Sequence, residues 1–214
     1  MGILLLTFTF FVDLDGTIID PWSRYFAVYC DILQDMGIQP LDFFEFVEMR
    51  RKGIPTVQLL PGINEEEKSF FLEKWHSLIE SREYLVKDRP FPGARDALLH
   101  MEERGRLVLI TLRNNRTNLL DQIRALFLDE YFDTILSQSP IESPQKAPLI
   151  KRSYDTVPEF GYMIGDSETD VLAGRELSIP TISVTSGIRS RDFLSGFLPD
   201  YIIAGIWDIG KIVG

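Results

Sequence analysis

Residues 3–12 form an almost unbroken apolar run, and the first charged side chain after it is Asp13. The run is too short to cross a bilayer. No basic residue precedes it and no small-residue cleavage site follows, so it does not read as a secretory leader. Its richness in Phe, Leu, Thr and Val instead predicts a strand over 5–12, buried on both faces as in a parallel sheet. The period then changes. Over 21–36 the apolar positions are Trp22, Tyr25, Phe26, Tyr29, Ile32, Leu33 and Met36, the three-to-four rhythm of an amphipathic helix, with Gly37 as its stop. A second helix is expected over 41–49, with Phe43, Phe44 and Phe46 facing inward. A third is expected over 65–86, through Phe70, Phe71, Trp75, Leu78, Ile79 and Leu85. From 21 to 88 there is little strand signal.

Past Pro92-Gly93 strands and helices alternate. Helices are expected over 94–104, 115–128, 146–153 and 168–177. Strands are expected over 107–111, 133–136, 161–164 and 181–184, with an edge strand at 201–204 and a short helix after it. Such alternation implies right-handed crossovers and a parallel sheet. The expected architecture is α/β, a three-layer sandwich with a doubly wound, mostly parallel, Rossmann-like sheet. Residues 1–19 and 89–214 would form this core, and 20–88 an inserted all-helical unit.

Composition narrows the function classes. With 45% hydrophobic and 25% charged residues the chain has the makings of an ordinary folded core. A net charge of −10 argues against nucleic acid or an anionic membrane surface as the main partner. Anionic small molecules stay allowed, because a bound dication reverses the local field. The single cysteine, Cys30, cannot form an internal disulfide; a reducing, cytoplasmic setting fits, with Cys30 a packed helix residue.

In a parallel α/β sheet ligands gather at the carboxyl ends of strands. The first strand ends on Asp13-Leu14-Asp15-Gly16-Thr17, the strand at 107–111 on Thr111, and the strand at 161–164 on Gly165-Asp166, with Asp170 just beyond. Lys146 opens the helix between the last two. Asp13 and Asp15, two apart in extended chain, point to one side. Their repulsion is relieved by a hard dication, and Asp166 offers a further oxygen. With phosphate charge so neutralised, one carboxylate can attack phosphorus, and the other can protonate the leaving oxygen and later activate water. Thr111 offers a hydroxyl and Lys146 a positive charge to the developing anion.

At these residues the chain resembles the haloacid dehalogenase superfamily of phosphohydrolases, over nearly its whole length. Val12-Asp13-Leu14-Asp15-Gly16-Thr17 is similar to the first motif, Thr111 to the second, Lys146 to the third, and Gly165-Asp166-Ser167-Glu168-Thr169-Asp170 to the fourth. The resemblance implies Asp13 as nucleophile and Asp15 as general acid and base. It implies Mg2+ held by Asp13, the Asp15 carbonyl and Asp166, with Asp170 acting through water. It also implies that Thr17 and the Leu112 amide meet the phosphate, that the helical insertion is a mobile cap, and that 91–94 is the return from cap to core. The family often has Asn after the second-motif Thr; here Leu112-Arg113 follows, with Arg113 either a substrate contact or a surface charge. Ser186-Gly187 replaces a frequent Trp-Gly.

In members with helical caps, a loop bearing a Gly and a basic residue meets the substrate. Here Arg50-Arg51-Lys52-Gly53 stands near that point, and Lys52, with Arg24 near the hinge, is the candidate. The expected function is Mg2+-dependent hydrolysis of a small phosphorylated metabolite, phosphoglycolate-like or a sugar phosphate. Open alternatives are a phosphomutase on the same residues, a phosphonate hydrolase using Lys52 as a Schiff base, a haloacid dehalogenase, and a non-catalytic regulatory protein.

Overall fold

The computed structural model describes residues 8–60, 62–140, 142–154 and 160–214. Eight strands are described: β1 (Phe8–Val12), β2 (Ile19–Asp20), β3 (Arg89–Pro90), β4 (Gly105–Thr111), β5 (Thr134–Ser137), β6 (Gly161–Gly165), β7 (Thr181–Val184) and β8 (Tyr201–Ile203). Six of them form one sheet in the order β5-β4-β1-β6-β7-β8, and every pairing in it is parallel. The chain is thus the α/β doubly wound fold that the alternating pattern implies. Residues 5–7 of the first expected strand lie outside the described residues.

Alternate residues of the sheet feed two cores. Phe10, Val12, Leu107, Leu109 and Ile164 pack against helices α5 (Ala94–Glu102) and α6 (Arg116–Ala125). Phe11, Val108, Ile110 and Met163 face the other way, onto α7 (Ala147–Ser153) and α8 (Glu168–Leu177). A strand between two helical layers must be apolar on both faces, which is why β1 lacks alternation. With β4 on one side of β1 and β6 on the other, the sheet winds outward in both directions from β1. The carboxyl end of β1 therefore opens onto the crevice where such sheets bind ligands.

Between β2 and β3, which pair antiparallel as a two-stranded ribbon, run α1 (Trp22–Asp35), α2 (Phe43–Arg51), α3 (Glu65–Leu78) and α4 (Arg82–Leu85). They enclose a separate apolar cluster around Tyr29, Ile32, Phe46 and Phe71. Among the described residues no helix is long and apolar enough to cross a membrane.

Three expectations need correction. The helix expected over 65–86 is two helices: Ser81 takes an extended conformation as the cap of α4, and Ile79 and Glu80 turn their carbonyl and carboxylate oxygens toward bonds elsewhere. The helix expected to reach 128 stops at Ala125, because Phe127 is left-handed (φ 52°). Of the aromatic stripe, Phe46 is fully buried but Phe44 is 82% exposed. The helix α9 (Arg191–Ser195) and the β2–β3 ribbon are too short to leave a periodic signal.

Candidate active site

β1 hydrogen-bonds on both sides and is covered on both faces, so Asp13, the first residue past it, is fixed by its neighbours. Its amide donates to Ile164 O at 2.9 Å. The chain then turns sharply at Gly16 (φ +82°), where a Cβ would land on the Asp166 carboxylate; Gly187 approaches the same carboxylate from the other side. Both positions require glycine, one for its backbone and each for the space.

Four segments converge here. Asp13, Asp15, Thr111, Leu112, Arg113, Lys146 and Asp166 line one cavity. Lys146 Nζ, at the start of α7, donates to Asp13 Oδ1 at 2.5 Å and to Asp170 Oδ1 at 2.6 Å. Asp170 Oδ2 is used at the head of α8, accepting from Ser167 N at 3.1 Å and Ser167 Oγ at 2.7 Å. Asp166 Oδ2 accepts from Ile188 N at 2.5 Å. Thr17 is fully buried, with its hydroxyl 3.5 Å from Asp13 Oδ2. It is not among the residues lining the cavity and packs against Asp13 instead.

Asp13, Asp166 and Asp170 each offer an oxygen within 4.8 Å of the others. Among the described residues Lys146 is the one cation bonded to this set, so with all three carboxylates ionised two negative charges would stay uncompensated in a buried site. Burial, then the charges of Asp170 and Asp15, push Asp13 up to about 7 against the pull of Lys146. Burial, then Asp13 and Asp170, raise Asp166 as well. A hard dication fits this donor set: it supplies the missing charge and takes oxygen ligands only.

Asp15 is placed differently from anything the sequence suggested. Arg113 grips its carboxylate with two bonds of 2.7 Å, from Nε and Nη2, and Arg24 Nη2 donates to it as well. Behind them Asp88, fully buried, accepts from Arg24 Nε at 3.0 Å and from Gln122 Nε2 at 2.8 Å. Burial alone would raise Asp15, but the two guanidinium groups hold it well below the usual carboxylate range. Arg113 is 3% exposed, which overturns its reading as a surface charge. Each of its three guanidinium nitrogens bonds protein, as does each of Arg24's. Both arginines therefore serve Asp15 before any substrate.

Lys52 is not at the site. Its Nζ pairs with Glu48 at 2.5 Å on the surface and its side chain is 57% exposed. Arg50, two residues earlier in the last turn of α2, is the member of the cluster that faces a cavity. It lines a second cavity that shares Asp15, Tyr25, Leu112 and Arg113 with the first. Two core contacts hold that end of α2: Arg51 donates to Gly187 O and Thr185 O at 2.9 and 3.0 Å, and Arg189 Nη1 donates to Arg50 O. The sequence signal was the basic cluster itself; which of its members faces inward depends on the phase of α2, whose end lies later than the pattern implied. Lys52→Ala is expected to leave kcat/KM within about twofold, since exposed pairs contribute little. Steady-state kinetics on an aryl phosphate would check this.

Residues 10–184 match the family model described as haloacid dehalogenase-like hydrolase. The pyrophosphatase PpaX of Oceanobacillus iheyensis is 24% identical over 212 residues, 96% of each chain. A phosphoglycolate phosphatase of Synechococcus elongatus is 24% identical over 193 residues, 89% of this chain and 90% of its own. The fold is shared with a haloacid dehalogenase-like family hydrolase of Streptococcus pneumoniae, with a TM-score of 0.81 at 22% identity, over 97% of this chain and 99% of that one. The chain belongs to the haloacid dehalogenase-like hydrolase family.

Proposed function

We propose that this hydrolase is a Mg2+-dependent phosphatase for small phosphorylated metabolites, working in the cytoplasm through an aspartyl-phosphate on Asp13. The observation that carries this reading is the meeting of Asp13, Thr111, Lys146 and Asp166, from four separate segments, on one cavity wall. The relatives named pyrophosphatase and phosphoglycolate phosphatase support the class of substrate.

Asp13 attacks phosphorus and the bond to the leaving oxygen breaks, leaving the phosphoryl group on its carboxylate. Lys146 holds Asp13 in line and, with the Thr111 hydroxyl and the Leu112 amide, steadies the phosphoryl oxygens. Asp15 serves as general base and acid: Arg113 and Arg24 hold it ionised, ready to take a proton from the attacking water, and it gives a proton to the leaving oxygen only after turning away from the two guanidinium groups. Mg2+, held by Asp13, Asp166 and the Asp15 carbonyl with Asp170 reached through water, would neutralise the phosphoryl charge. Residues 20–88 act as a cap, with the β2–β3 ribbon as its hinge.

The test is phosphate release from 4-nitrophenyl phosphate with Mg2+ and in excess chelator; equal rates would sink the reading. Binding is visible without turnover. At a hundredfold excess over Kd the ion would add about 2.7 kcal/mol, raising the melting temperature by roughly 5–10 °C for a chain of this size. The gain should grow with pH. Metal-free, Asp13 keeps its proton up to about 7 in the fold but only to 3.8 when unfolded. The folded state therefore loses stability as pH rises through that window. Mg2+ replaces the proton, so the shift should be larger at alkaline than at mildly acid pH. A shift that survives intact in Asp166→Asn would contradict the assigned ligands.

A further inference from the structure

A third cavity, of about 480 Å3, is larger than either of the two that meet at Asp15, at about 240 and 220 Å3, and shares no wall residue with them. The proposed reaction makes no use of it. It lies in the joint between the helical unit and the core. Leu85 and Val86, at the end of α4, form one wall, and Ala125 and Leu126, at the end of α6, form the other. Val86 is 65% exposed, so this apolar surface is open to water. Bonds that cross the joint surround the space. Arg82 reaches Asp121 at 2.5 Å and Asn118 at 3.3 Å, and Gln122 Nε2 donates to Leu85 O at 2.9 Å. The inner end is closed by Asp88 and Gln122, which on their other side hold Arg24 and Arg113.

The mouth is cationic, in a chain whose net charge is −10. Arg82 is met by Asp121, but two further arginines there are not met by any acid. Among the described residues Arg89 and Arg95 bond to backbone oxygens alone: Arg89 Nη1 to Val86 O and Asp88 O at 2.5 and 2.6 Å, and Arg95 Nη2 to Leu126 O at 2.8 Å. Asp88, the other acid on the wall, is fully buried and already matched by Arg24. Apolar walls under a positive rim fit a molecule that buries an apolar body and leaves an anionic head at the mouth. The volume falls within the range of small-molecule sites. A guanidinium with nitrogens to spare holds such a head by charge-assisted bonds.

We propose that this joint is a binding site for a small amphipathic anion, which clamps the helical unit to the core and so lowers turnover. The site itself stands apart from the phosphatase reading; only its effect on rate rests on residues 20–88 acting as a cap. An occupant would touch α4 and the hinge strand β3 on one side and α6 on the other. It would add to the bonds that the end of α2 already makes with the core at Gly187 and Thr185. A cap so held opens less often, and release of product slows.

The experiment titrates the full chain with octanoate, and with octylamine and 1-octanol as cationic and neutral probes of the same length. Calorimetry should show octanoate binding one to one, about tenfold or more tighter than either control, as a charge-assisted contact allows. Arg89→Gln should weaken octanoate by about fivefold and leave 1-octanol unchanged. Ala125→Trp, at an exposed position of α6, fills the space and should remove binding while turning over 4-nitrophenyl phosphate within about twofold of wild type. A melting curve of each variant checks its fold. With octanoate bound, wild type should lose kcat severalfold at nearly constant KM, and Ala125→Trp should not respond. Equal binding of the three probes, or octanoate binding that survives Ala125→Trp, overturns the site. A rise in KM alone places octanoate in the Asp13 cavity and overturns it too. Binding that leaves kcat untouched keeps the site and refutes the clamp. If the phosphatase reading fails, no phosphate is released, yet the charge-selective binding that depends on Ala125 remains.

Discussion

Asp13→Asn is expected to abolish turnover, lowering kcat by at least about a thousandfold, because an amide cannot form the acyl phosphate that the proposed mechanism passes through. The substitution is nearly isosteric, so the packing around β1 should hold. The electrostatics favour the variant. Asp13 is 6% exposed, and burial and neighbouring carboxylates oppose its charge. Removing that charge leaves Lys146 to Asp170, its other carboxylate partner. The metal-free variant should therefore melt no lower than wild type at neutral pH, and lost activity could not be blamed on lost structure. Two measurements decide: the melting curve, and acid-quenched phosphoenzyme, expected in wild type and absent from the variant. Activity within tenfold of wild type would move the nucleophile elsewhere.

How much of this could be read from the chain differs by distance along it. The end of β1 was legible because a run apolar on both faces can stop on a charge only where the sheet opens to solvent. The helix Glu168–Leu177 and the strand Thr181–Val184 were legible to the residue, since period and stop signals agree there. The convergence of Lys146 and Asp166 on Asp13 followed from what each strand ends on and from the family pattern. The company of Asp15 was not legible. Arg24 and Asp88 are 64 residues apart and Arg113 and Asp15 are 98 apart. Nothing local in an arginine says whether a distant carboxylate will bury it. The same limit misled the reading of Lys52: a basic cluster at a helix end shows charge, but a shift of two residues in the helix decides which side chain turns inward.

The group most exposed to this limit, Asp88, carries the largest expected effect on stability. Asp15, Asp88, Arg24 and Arg113 form a buried set of two negative and two positive charges, closed by Gln122, which donates to Asp88 and accepts from Arg113 Nη1 at 2.6 Å. As a complete set it need not stabilise the fold much, because desolvation offsets the attraction. Breaking it is another matter. Asp88→Ala leaves two guanidinium groups, almost wholly buried, sharing the single carboxylate of Asp15. Removing one partner of a buried pair costs roughly 3–5 kcal/mol, or about 6–20 °C in melting temperature for a chain of this size. Asp88→Asn, which keeps an acceptor for Arg24, should lose clearly less. Denaturant melts of both variants test this, and a loss below about 1 kcal/mol for the alanine would mean that water or a rearranged side chain meets the arginines. The network also joins α1 and the β3 hinge strand to the loop after β4 and to α6, so its integrity and the placement of Asp15 are one property. Below its melting point, Asp88→Ala should therefore lose kcat more than it raises KM, because Arg24 and Arg113 would still grip Asp15 but no longer from fixed positions.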